Sequence, residues 1–149
     1  MTKYKISNDW WTTPTESING HRVIVTGRRG LEKAISSGKF NDRIEITWQY
    51  VGDAEGMPDY STSLLMEKVN DALINAFSKE QAAILTGIYT GDSERNWIFY
   101  VRNIPKFQQI LNDALKEFDV LPLKLYAEKD PNWEEYSEMR ELTEIEEGE

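Results

Sequence analysis

The sequence has no cysteine and only one histidine, His21, in its 149 residues. The missing thiols exclude disulfides, thiolate zinc sites and cysteine nucleophiles, and a cysteine-free chain fits the cytoplasmic location that we predict. A lone histidine excludes a histidine-rich metal site, and no glycine-rich loop followed by lysine is present to hold a phosphate. We therefore predict no catalytic residue, no metal site and no cofactor, and we favour a protein that is not an enzyme.

Long apolar runs are also missing. No stretch approaches the roughly 20 apolar residues that span a bilayer, and the polar N-terminus is unlike a signal peptide. The sequence therefore predicts no membrane association. Its composition, 40% hydrophobic and 11% aromatic, is typical of a globular domain, and its length suits one hydrophobic core.

Positive charge is scarce, with a net charge of −9, but the imbalance is local. Segment 128–149 holds ten acidic residues and only Lys129 and Arg140 as bases, whereas residues 1–127 nearly balance. A nucleic-acid binder shows a strongly basic face, so we expect no nucleic-acid partner. The acidic end could instead fold back on a mildly basic patch of the same chain or face a basic partner protein. That basic patch is Arg22, Arg28, Arg29, Lys33, Lys39 and Arg43.

Two β-rich runs, 83–90 and 95–102, organise the chain around a polar turn at 91–94. Their β-branched and aromatic residues predict a hairpin, and four loop residues suit a type I turn. Consecutive apolar residues on each arm indicate a central hairpin that is covered on both faces.

The rest of the chain supplies further strands and helices. Strands are predicted at 22–27, 43–50 and 121–127, and helices from Ser61, from Pro105 and over 132–142. Residues 1–20 are interpreted as a polar segment anchored by its two tryptophans. The apolar stripes of the first two helices are Leu65, Val69 and Leu73, and Phe107, Leu111 and Leu115.

From residue 43 the order is strand, helix, strand, strand, helix, strand. That order predicts an α+β protein with a ferredoxin-like split βαβ arrangement, two helices lying on one face of an antiparallel sheet. An extra N-terminal strand and a short C-terminal acidic helix are added to it, and the position of strand 22–27 in the sheet stays open. We predict one domain over residues 1–142 and a flexible acidic tail over 143–149.

Three motifs carry a resemblance that covers roughly residues 8–140. They are Gly-Met-Pro at 56–58, the aromatic hairpin with Thr-Gly-Ile-Tyr-Thr at 86–90 and Arg-Asn-Trp-Ile-Phe-Tyr at 95–100, and Asp-Pro-Asn-Trp-Glu-Glu-Tyr at 130–136. Together they resemble the bacterial family catalogued as domain of unknown function 695. The resemblance implies no established activity or site residue. Some members are joined to a domain similar to a protein inhibitor of ribonuclease E, which implies a regulatory or protein-binding role.

We therefore expect a non-catalytic regulatory or protein-binding module, with Glu134, Glu135 and Glu138 facing a basic partner protein. An immunity or inhibitor protein that neutralises a basic toxin or nuclease is a special case, since its acidic surface would also face a basic partner. The alternative is a small-ligand-binding protein or enzyme that uses an aromatic pocket on the sheet. Its candidate residues are Trp48, Tyr50, Trp97 and Tyr100. The oligomeric state is left open.

Overall fold

The computed structural model describes residue 4 and residues 6–144 of the chain. Its strands are β1 (Trp10–Glu16), β2 (Arg22–Arg28), β3 (Asp42–Gln49), β4 (Ala83–Gly91), β5 (Glu94–Val101) and β6 (Leu123–Lys129). Its helices are α1 (Glu32–Ser36), α2 (Tyr60–Lys79), α3 (Ile104–Leu115) and α4 (Glu134–Thr143). The strands form one sheet in the order β1-β2-β4-β5-β3-β6, and every neighbouring pair is antiparallel. The α+β class is therefore confirmed.

The predicted hairpin is β4 and β5, and both strands lie in the interior of the sheet. Its loop is shorter than predicted, because Gly91 pairs with Glu94 and only Asp92 and Ser93 remain between the strands. Both loop residues have positive φ, 53° and 67°. Positive φ at two central residues defines a type I′ turn, whose twist matches that of the strands. The prediction of a four-residue type I turn was therefore wrong.

Helices α2 and α3 cover one face of the sheet, as their apolar stripes predicted. Val69, Leu73, Phe107 and Leu111 are buried in one cluster with sheet residues that include Phe99. On α2 one member of the predicted stripe was wrong, since Leu65 is 37% exposed and its neighbour Met66 is fully buried instead. Helix α2 also begins earlier than predicted.

Helix α4 and the short α1 lie on the opposite face of the sheet. Trp11, Tyr100, Trp133 and Tyr136 belong to a second buried cluster there. Trp10 packs against the first cluster and Trp11 is buried in the second, because successive side chains of a strand point to opposite faces. The two tryptophans anchor the N-terminal segment as predicted, but they do so within a strand, β1, that the sequence analysis missed.

Strand β2, whose position in the sheet was left open above, lies towards one side of the sheet. Strand β2 pairs with β4 and β1 forms the edge beyond it. Strand β6 forms the other edge of the sheet, a position that tolerates Pro122 just before its start. Leu125 of this edge strand is 49% exposed.

At the C-terminal end the helix starts later than predicted, and Thr143 is its last residue. Thr143 is buried and its hydroxyl accepts a hydrogen bond of 2.9 Å from the Trp11 indole. Thr143 and Glu144 thus belong to the folded part of the chain, and the rest of the predicted tail, 145–149, lies outside the described residues. Among the described residues, no helix has the length and apolar character needed to cross a membrane.

Candidate functional site

A hydrogen-bonded turn before α4 fixes this helix against the sheet. The Asp130 carboxylate accepts hydrogen bonds from the Tyr100 hydroxyl at 2.6 Å and from the backbone N–H groups of Glu134 and Glu135 at 2.9 and 3.2 Å. Although burial alone would raise it, these hydrogen bonds lower the pKa of Asp130. The carboxylate therefore serves as the cap of the helix N-terminus.

Two aromatic rings complete the attachment of α4. Trp133, with a left-handed backbone (φ 54°), stacks on Tyr100 at 4.1 Å between ring centroids. Its indole N–H donates to the carbonyl of Phe40 at 2.8 Å. The Tyr136 hydroxyl donates to the carbonyl of Arg28. Both rings are almost fully buried, so they dock this segment on the sheet.

Two paired glycines let the second buried cluster approach the sheet closely. Gly27 of β2 lies opposite Gly87 of β4. A Cβ atom on Gly27 would lie 2.2 Å from the Trp11 ring, and one on Gly87 would lie 2.8 Å from Met139 Sδ. The absence of side chains at both positions therefore makes room for a β1 tryptophan and an α4 methionine.

An acidic groove of about 430 Å³ opens between α4 and the strands β1, β2 and β4. Of the described residues that line it, the charged ones are Glu16, Glu135 and Glu138, and none is a lysine or an arginine. The remaining lining residues are Thr15, Ser17, Val23, Val25, Tyr89, Met139, Leu142 and Thr143. The groove thus joins carboxylates to an apolar floor.

Glu135 is the most unusual carboxylate of the acidic groove. One of its oxygens, Oε1, accepts a hydrogen bond of 2.6 Å from the Tyr89 hydroxyl. The other, Oε2, is buried and has no hydrogen-bond partner. Burial raises the pKa of Glu135, an effect that Tyr89 and Arg43 oppose in part. The side chain therefore keeps an unused acceptor beside the groove.

The three predicted partner-binding glutamates do not all face solvent. Glu134 and Glu138 are exposed, whereas Glu135 is half-buried and turns towards the sheet. Glu135 and Glu138 share the acidic groove, and Glu134 is not among its lining residues. Glu16 completes the groove and was missed, because the strand that carries it was not predicted.

The four candidate pocket aromatics do not meet in one place. Trp48 and Trp97 are buried under the helices α2 and α3, with Tyr50 packed beside them. Tyr100 lies on the opposite face against α4. The Trp97 indole donates to Asn70 at 3.1 Å and the Tyr50 hydroxyl donates to the carbonyl of Gly56 at 2.8 Å. The polar groups of Trp97, Tyr50 and Tyr100 are thus used within the fold.

The acidic end folds back on the basic patch at two points. Glu144 pairs with Arg29 at 2.7 Å, and Glu128 pairs with Arg43 at 2.5 Å. Other acidic residues of this segment, Glu134 and Glu138 among them, stay exposed. The fold-back explanation therefore applies to Glu128 and Glu144, whereas the binding of a basic partner by the exposed residues stays a prediction.

The fold and the acidic groove define a small α+β protein with a carboxylate-lined surface recess. Among the described residues, no group of three or more metal-ligating side chains is placed to hold a metal ion. The chain belongs to the family of unknown function DUF695, whose model matches residues 9–139. No curated protein and no solved structure matches it.

Proposed function

We propose that this protein is a non-catalytic binding module whose acidic groove receives a lysine or arginine side chain from a basic partner protein. The observation that carries the proposal is the groove itself. Within the part of the chain that the structure describes, three carboxylates and no base line it, and one of them, Glu135, keeps a buried oxygen that has no hydrogen-bond partner. A cation is the natural complement of such a site, since charged groups are stable in a protein interior when they are paired.

The apolar floor fits the rest of such a side chain. Lysine and arginine bury their methylene stems along apolar surface and keep the charged head near polar groups. In the acidic groove the stem would lie along Val25 and Met139, and the head would reach Glu138 or Glu16. An adjacent cation would also favour the ionised form of Glu135. The same pairing of a basic side chain with the carboxylates of the groove would support a regulatory or inhibitory role towards a basic protein.

The detailed fold of the sheet and its helices is also a proposal. We propose that β3 to β6, with α2 and α3, form a ferredoxin-like split βαβ unit, to which β1, β2 and α4 are added. The spatial order β4-β5-β3-β6 and the antiparallel pairing support this assignment. The cytoplasmic location and the bacterial origin remain predictions.

The test compares the proteins that the intact chain captures from extracts of its own source cells. The groove variant is Glu135→Gln with Glu138→Gln. A matched control, Glu117→Gln with Asp119→Asn, removes the same charge from an exposed stretch after α3. Quantitative mass spectrometry should show a basic protein retained by the wild type and the control but depleted about tenfold or more by the groove variant.

Salt provides the second readout of this experiment. Retention of the partner should fall as ionic strength rises and the Debye length shrinks below about 10 Å. A partner retained equally by all three proteins, or a retention that does not depend on salt, would contradict the proposal.

A further inference from the structure

A second cavity, of about 340 Å³, lies on the α2 face of the sheet. It opens where β2 and β4 separate, because their pairing stops at Gly27 and Gly87 and β4 is irregular between Leu85 and Gly87. Irregularities of this kind often lie beside functional sites. The lining residues are Ile6, Ser7, Asn8, Arg28, Ile74, Phe77, Ser78, Gln81, Ala83, Ile84 and Leu85. We call it the Arg28 cavity.

Among the described residues that line this cavity, Arg28 is the one charged residue. Its guanidinium carbon lies 4.5 Å from the centre of the Trp10 ring, and Nη1 donates to the carbonyl of Leu85 at 3.0 Å. Its Nε is buried and has no acceptor among the residues that the structure describes. The ring and the carbonyl hold the guanidinium in place, but neither supplies a negative charge.

The surroundings of Arg28 differ from those of other arginines in this chain. Arg29, Arg43 and Arg140 each pair with a carboxylate. Among the described residues Arg28 forms no such pair, and burial lowers the pKa of Arg28 to about 10. A desolvated cation without a counter-ion destabilises a fold. Its position beside an open cavity is the arrangement expected when a ligand supplies the missing anion.

We propose that the Arg28 cavity binds a small organic anion, a monocarboxylate with a short apolar chain. The carboxylate would pair with the guanidinium, whose planar donors match its two oxygens. The chain would lie against Ile74, Phe77 and Leu85. The cavity volume falls within the range of small-molecule sites, which combine apolar walls with a few polar groups. A single cation suits one negative charge better than the two of a phosphate. This site is separate from the acidic groove and does not depend on its proposed function.

Isothermal titration calorimetry of the full chain with sodium hexanoate tests the proposal. Hexanoate should bind saturably, and acetate and 1-hexanol should bind at least about tenfold more weakly, since each lacks one half of the recognised chemistry. Arg28→Met should weaken hexanoate binding by about tenfold or more, the effect of losing a hydrogen bond to a charged group. Arg22→Met, which removes an exposed arginine from the same strand, should leave binding unchanged.

A second variant tests the cavity without removing the charge. Ile74→Trp places a larger side chain in the cavity and keeps Arg28, so it should abolish hexanoate binding even if Arg28→Met does not fold. The proposal is overturned if wild-type protein shows no saturable binding of hexanoate, or if folded Arg28→Met or Ile74→Trp binds it as the wild type does. Equal binding of 1-hexanol, or tighter binding of inorganic phosphate, would overturn it as well.

Discussion

Single aromatic residues attach the last helix to the sheet, and Trp133 is the largest of them. Its ring stacks on Tyr100 and is 1% exposed. Trp133→Ala should lower the free energy of unfolding by about 3–5 kcal/mol, the usual cost of removing a buried large aromatic side chain. Thermal and urea unfolding measure this loss. Tyr60→Ala removes an aromatic side chain that is 80% exposed and should change stability little; equal losses in the two variants would show that Trp133 is not docked.

The raised pKa of Glu135 predicts the direction in which its contribution to stability changes with pH. Because burial raises its pKa in the folded state, Glu135 itself is protonated to a greater extent in the native protein than in the unfolded chain above a pH of about 4. Its contribution to stability is therefore present at low pH and is lost as pH rises. Glu135→Gln should become steadily more stable relative to the wild type between about pH 4 and pH 7. A stability difference that stays constant with pH would refute the prediction.

At the scale of helices and strands, apolar spacing predicts the helices that pack on the hairpin. Leu111 of α3 is 6% exposed, and Leu64 of α2 is 48% exposed. Leu111→Ala should therefore cost about 2–5 kcal/mol, whereas Leu64→Ala should cost well under 1 kcal/mol. Urea unfolding of both variants measures the contrast. Similar losses would contradict the packing of α3 on the sheet.

The glycine pair under the second buried cluster gives another prediction at this scale. Gly27→Ala would place a methyl group against the Trp11 ring. We expect a loss of about 1–3 kcal/mol from overpacking, with shifted NMR resonances of Trp11. Unchanged stability together with unchanged Trp11 resonances would show that the ring does not lie over Gly27.

A part of the fold can be predicted from the sequence when the interactions that determine it join residues close together in the chain. The hairpin follows from β-forming residue types and the stripes of α2 and α3 follow from periodicity, and both are local properties. Strand β1 was not predicted, because its Pro14 is typical of a loop. An edge strand nevertheless tolerates proline. The second covered face depends on contacts such as Trp133 with Phe40 and Trp11 with Thr143, which join residues far apart in sequence. The acidic groove is lined by residues of both β1 and α4. The sequence could therefore predict its negative charge but not its shape.

For the whole molecule, two electrostatic effects of opposite sign determine how stability changes with pH. At neutral pH the net charge is −9, and self-repulsion disfavours the compact state. Mild acidification relieves this repulsion and should stabilise the fold. Further acidification protonates carboxylates whose pKa the fold lowers. They are Asp53, Asp59, Asp92, Glu128 and Asp130.

The sign of the second effect follows from linkage. A carboxylate with a lowered pKa in the folded state contributes stability above its unfolded pKa, about 4, and loses it as pH falls through the folded value. The free energy of unfolding should therefore reach a maximum near pH 5 and fall towards both pH 7 and pH 3. Urea unfolding across this range measures the curve. Asp130→Asn should lower stability at pH 5 and flatten the acid side, because its cap and its bond to Tyr100 no longer depend on ionisation. A curve that rises steadily from pH 5 to pH 3 would contradict the assignment of these lowered pKa values.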